Sequence, residues 1–82
     1  MRMREVISST IDKVGYNNET KRLVVLFLDE RVYLYGNGIV AFPKEMYKEL
    51  IADKSPGSYL HRFVKGVWPV TGPYNKKILD TL

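Results

Sequence analysis

An α+β fold, a small antiparallel meander of three or four strands with two short helices packed on one face, is what this chain predicts from three observations. Strand-length runs of β-branched, aromatic and leucine side chains fill the first half, and after Pro43 the apolar residues change to helical spacing. The third is size: 82 residues with 45% apolar and 27% charged side chains describe one small domain, residues 1–82, with no repeat, linker or low-complexity tract. A domain this small buries only about 60–65% of its unfolded surface, so its stability is expected to be modest.

The first strand signal runs from Ser8 to Tyr16, with Ile11 and Val14 among polar neighbours and a bend expected at Gly15. Asn17-Asn18-Glu19-Thr20 reads as a turn, because Asn tolerates a left-handed backbone and bonds its own main chain. Leu23 to Leu28 is the next strand. Asp29-Glu30 leaves room only for a tight connection, so Arg31 to Tyr35 should return antiparallel, ending at Gly36-Asn37-Gly38. Residues 4 to 8 supply a fourth strand if there is one.

Pro43 suits the first position of a helix, and Met46, Tyr47, Leu50 and Ile51 then form one apolar face. Ser55 is a candidate N-cap for a second helix, with Pro56 in its first turn, Tyr59, Leu60, Phe63 and Val64 as its stripe and Gly66 as its stop. Both stripes need a surface to bury against, and one face of the meander is available. Two prolines and a glycine in Val67-Trp68-Pro69-Val70-Thr71-Gly72-Pro73 permit at most an edge strand. Beyond it, Lys76 to Leu82 fits either a helical turn or two or a disordered tail.

Several classes are set aside. No Cys is present, so no disulfide framework or thiolate metal site exists, which fits a reducing compartment. Neither a signal-peptide pattern nor an apolar run of membrane-spanning length occurs, and a cytoplasmic location is expected. The formal charge is +4, unevenly placed: residues 1 to 53 hold eight Lys/Arg and eight Asp/Glu, residues 54 to 82 five and one.

The ordered series Ser8-Ser9, Val14-Gly15-Tyr16, Leu23-x-Val25-x-Phe27, Tyr33-x-Tyr35, Pro43-x-x-Met46-Tyr47-x-x-Leu50, Ser55-x-Gly57-x-Tyr59-Leu60 and Arg62-x-Val64-Lys65-Gly66 resembles the KTSC domain. That domain takes its name from the C-terminus of some lysyl-tRNA synthetases and also occurs as a free-standing small protein in bacteria and their viruses. The resemblance covers residues 8–66, leaving 67–82 as a C-terminal extension. It implies an unassigned function, with RNA binding suggested by the synthetase context. The chain departs from the family pattern in three places. Val24, Leu26, Leu28 and Leu34 stand where polar side chains are usual; about four residues are added between Tyr35 and Pro43; and Val67-Trp68-Pro69-Val70 replaces an aromatic and basic run.

Tyr33 and Tyr35 share one strand face about 7 Å apart, a spacing that can stack consecutive bases if exposed or pack under the helices if covered. Lys54, His61, Arg62 and Lys65, with Lys76 and Lys77 beyond, form the candidate nucleic-acid surface, since the second helix puts its charges opposite its apolar stripe. An ordinary solvated face has the same pattern. His61 is the only His, so no metal site is expected, and no phosphate loop, Cys nucleophile or His–acid pair suggests catalysis or a cofactor.

If Val25, Phe27, Tyr33 and Tyr35 face the helices, then Val24, Leu26, Leu28 and Leu34 face away as an apolar patch. A second copy or a foreign protein would cover it, with Ile39-Val40 as a strand that mediates the contact, or the chain's own Ile39, Val40 and Trp68-Pro69 would fold across it. Two functions follow as expectations. One is a non-catalytic nucleic-acid module, RNA first. The other is a protein-interaction module, either a homo-oligomer or a small inhibitor or adaptor of viral or mobile-element type.

Overall fold

Two short turns set the register of the central strands. Asn17 Oδ1 accepts the amides of Glu19 at 3.0 Å and Thr20 at 3.2 Å, and Lys21 takes the left-handed conformation that completes the reversal. Asp29 Oδ1 accepts the Arg31 amide at 3.1 Å, with Glu30 left-handed beside it. In the computed structural model, which describes Met1–Leu82, these turns join β2 (Ile11–Asn17), β3 (Arg22–Phe27) and β4 (Arg31–Tyr35).

The sheet has five antiparallel strands in sequence order, where three or four were expected. The additions are a two-residue β1 (Arg4–Glu5), within the segment expected to supply a fourth strand, and β5 (Val70–Asn75). All six residues of β5 are exposed, so pairing with β4 holds this strand and no buried side chain announces it. Gly72, at φ +126°, lies where a Cβ would come within 2.7 Å of the Val32 carbonyl oxygen, so this close approach requires glycine.

A bulge at Asp12 explains the weak period of β2. Ile11 pairs with Phe27 and Lys13 with Leu26, so the extra residue lets Ile11 and Val14 both point inward. Leu23 opposite Tyr35 and Val25 opposite Tyr33 continue that inner face.

Helix α1 (Lys44–Ala52) follows Pro43, which caps it in extended conformation, and buries Leu50 against the inner face. Helix α2 starts at Pro56 with Ser55 Oγ accepting the Ser58 amide at 3.4 Å, and from Leu60 to Val64 it widens into a π turn. The wider turn advances less per residue than an α-helix, so Tyr59, Leu60 and Val64 are buried while Phe63, expected on the same stripe, is 45% exposed. The added residues after Tyr35 form no strand: Asn37 Oδ1 accepts the amides of Ile39 and Val40, and Ile39 is 94% exposed. They deliver Phe42 into the core.

The outer face corrects the largest expectation. Val24, Leu26 and Leu34 are 1%, 1% and 4% exposed, and with Val32 they form a second core packed by Met3, Ile78, Leu79 and Leu82. The covering element is a 3₁₀ helix, Lys76–Thr81, and not Ile39-Val40 or Trp68-Pro69, whose indole packs on the inner core. Only Leu28, in the turn after β3, stays exposed. Val24, Leu26 and Leu34 therefore present no apolar patch to another chain, because the end of the same chain occupies their face.

Candidate nucleic-acid interface

The inner face continues past the end of the helix layer. There Phe27 lies diagonal to Tyr33, since Val25 is opposite Tyr33 in the register, and the rings meet edge to face with centroids 5.5 Å apart. Both are half-buried. Lys65 leaves the π turn beside them with its ammonium 5.1 Å from the Phe27 ring centre. With Asp29, Tyr35, Gly66 and Val70 they line a cleft of about 370 Å³.

The Tyr-x-Tyr pair is divided by this arrangement. Tyr35 is 3% exposed, and burial, with a smaller contribution from Tyr33, pushes its phenol above the ordinary tyrosine range. It is core, so the two rings cannot stack consecutive bases as a pair. Tyr33 is at the rim, with Phe27 as its neighbour in the cleft.

The six basic candidates are divided as well. Lys54, His61, Arg62 and Lys65 are exposed on the helical layer, and Arg62 lies over Phe63 at 5.2 Å. Lys76 and Lys77 are in the 3₁₀ helix that covers the opposite face of the sheet. Adjacency in sequence had grouped them, whereas the sheet separates them. The ion pairs present are Arg31–Asp29 and Lys48–Glu45, so Lys54, Arg62 and Lys65 have no carboxylate partner. Arg31, which the charge count did not single out, joins the acidic edge of the cleft through Asp29 at 3.7 Å.

Three hydrogen bonds fix the scaffold under this surface. Tyr59 Oη donates to Glu49 Oε1 at 2.7 Å, tying α2 to α1, and Ser8 Oγ accepts the amides of Thr10 and Ile11, which turns the chain into β2. Burial first, and then the bond and charge of Glu49, push the Tyr59 phenol up to about 12. The folded value exceeds the ordinary 10.0, so this phenol favours the fold fully below pH 10, and the contribution is lost as pH rises from 10 through 12. Spectroscopic titration at 295 nm should show Tyr59 among the last of the six tyrosines to ionise, and Glu49→Gln should bring it down. An unchanged titration in that variant would mean that Glu49 has no part in the shift.

No cluster of three metal-ligating side chains occurs, and no helix is long and apolar enough to cross a membrane. The chain matches none of the curated proteins. Among solved structures it is similar to the crystal structure of a KTSC domain protein from Yersinia pestis, with a TM-score of 0.75 and 21% identity, covering 85% of this chain and 93% of that one. That likeness is one of fold. The model of the KTSC domain family matches residues 7–68, from the entry to β2 through the end of the helical layer, and leaves β5 and the 3₁₀ helix outside the matched range. With the matched range taking in the central hairpin, both helices and the Phe27–Tyr33–Lys65 cleft, the chain belongs to the KTSC domain family.

Proposed function

We propose that the chain is a non-catalytic module that binds single-stranded nucleic acid, RNA first, along the helical face that ends in the Phe27–Tyr33 cleft. The observation that carries this reading is the meeting of two half-buried aromatic rings with Lys65, on the helical layer that also exposes Arg62 and Lys54, none of the three cations ion-paired. A base inserted at the cleft gains a stacking partner, and the adjacent cations meet the phosphates on either side of it. Protein association through Val24, Leu26 and Leu34 is not carried forward, because that face is occupied from within the chain.

Fluorescence anisotropy with a labelled oligouridine tests the reading. Three phosphate contacts, from Lys54, Arg62 and Lys65, predict a slope of about −2 in log affinity against log salt. Tyr33→Ala should weaken binding by about 1–3 kcal/mol while the fold persists. Lys76→Gln with Lys77→Gln should change little, because those lysines are on the other face. A flat salt dependence, or no binding at low salt, rejects the proposal.

A further inference from the structure

A second cleft opens at the other end of the β2–β3 hairpin, where Tyr16 stands opposite Leu23, far from the Ile11–Phe27 end. Its volume is about 520 Å³, within the range of small-ligand sites. It draws Arg2 and Arg4 from the N-terminal segment, Asn17 to Glu19 from the first turn, and Lys44 and Tyr47 from the start of α1. We propose that this cleft binds a small ligand that joins a planar aromatic ring to a phosphate monoester, of the mononucleotide class.

The aromatic half of the argument is the wall formed by Tyr16 and Tyr47, whose ring centres are 5.8 Å apart and tilted by 36°. Tyr16 is fixed in place by its phenol, which donates to the Phe42 carbonyl at 2.6 Å, and Tyr47 is only half-buried, leaving ring surface to meet a flat ligand. The anionic half is charge. Arg2, Arg4 and Lys44 line the cleft against one acidic side chain, Glu19, and none of the three is in an ion pair. Lys44 is held by Asn18 Oδ1 at 3.0 Å with its ammonium 6.0 Å from the Tyr16 ring centre, so one cation already sits beside the aromatic wall. Two guanidinium groups on one short segment suit the paired oxygens of a phosphate. The Met1 ammonium and the Leu82 oxygen at the rim bond each other at 3.2 Å.

The path of that segment depends on Gly15. A Cβ there would come within 2.7 Å of Met3 Sδ and 3.0 Å of the Arg2 carbonyl oxygen, so the missing side chain lets residues 1–3 cross β2 closely and bring Arg2 to the cleft. None of these residues belongs to the proposed RNA surface, and the two readings stand or fall separately.

Amide chemical-shift titration of the whole chain with AMP, adenosine and inorganic phosphate provides the test. AMP should shift the amides of Arg4, Asn17 and Lys44 and bind about tenfold more tightly than adenosine or phosphate alone. Arg2→Gln with Arg4→Gln, two exposed changes, should lose about tenfold for AMP and leave adenosine unchanged, whereas Lys65→Gln should leave AMP affinity unaltered. The 5′-phosphorylated dinucleotide of uridine separates the sources of the ligand: affinity equal to that of AMP supports a free mononucleotide, and tighter binding supports the phosphorylated end of a strand. AMP that binds no better than phosphate, or that shifts only the Phe27, Tyr33 and Lys65 amides, overturns the proposal. A loss of RNA binding in Lys65→Gln with AMP binding intact would show that the two sites are independent.

Discussion

Removing residues 76–82 should leave a folded but weakened chain, about 3 kcal/mol less stable, that associates as its concentration rises. Ile78, Leu79 and Leu82 are half-buried on Val24, Leu26, Val32 and Leu34, and each withdraws about 1 kcal/mol worth of apolar surface from water. For a domain of this length that loss lowers the melting temperature by about 12–24 °C. The uncovered face would then be the contiguous apolar patch that promotes contact between copies. Thermal melts followed by circular dichroism, with light scattering at two concentrations, measure both effects. Lys76→Gln with Lys77→Gln should alter neither, since those side chains are exposed. A truncated chain that melts within a few degrees of the intact one would show that the outer face does not depend on its cover.

Which parts of this structure could be read in advance follows from how each part is held together. Asn17 and Asp29-Glu30 mark their turns by local chemistry, and the stripe of the first helix repeats at a period that burial imposes, so those elements were legible, whereas the π turn puts Phe63 off the second helix's stripe. β5 was legible only as an allowed edge, because it is held by backbone pairing with β4 and leaves no apolar alternation behind. The outer face shows a different limit. Alternation establishes that Val24, Leu26 and Leu34 need a cover, but Ile78, Leu79 and Leu82 span too few residues to identify themselves as that cover.

The candidate sites depend on distances that sequence does not order. Tyr33 and Tyr35 share a face by period, yet Tyr35 belongs to the buried core whereas Tyr33 only packs against it and stays half-buried. Lys76 and Lys77 follow the helical cations in sequence, yet β5 carries them to the other side. Arg2 and Arg4 meet Lys44 and Tyr47 across about half the chain, and Gly15, which had suggested a bend, serves that crossing instead. Local chemistry was readable in each case, and the neighbours were set by tertiary packing.

Phe42→Ala should remove most of the stability of the domain. The residue is fully buried, is the largest side chain that is, and joins three parts of the fold. Its amide donates to the Lys21 carbonyl at 2.9 Å, its carbonyl accepts the Tyr16 phenol at 2.6 Å, and its ring packs edge-on to Trp68 at 5.4 Å. Truncating such a phenylalanine costs about 3–5 kcal/mol, whereas a chain of this length has roughly 4–12 kcal/mol in total. In urea titrations the Phe42→Ala chain should be partly unfolded before denaturant is added. Phe42→Leu, which keeps most of the volume, should remain folded, and Ile39→Ser, at a side chain 94% exposed in the same segment, should fall within about 0.5 kcal/mol of the parent. The contrast isolates what the added residues do: were Phe42→Ala as stable as Ile39→Ser, residues 36–43 would be a surface loop. The buried ring instead makes that segment the plug between the first turn, β2 and Trp68, and its main-chain carbonyl accepts the phenol of Tyr16 beside the N-terminal cleft.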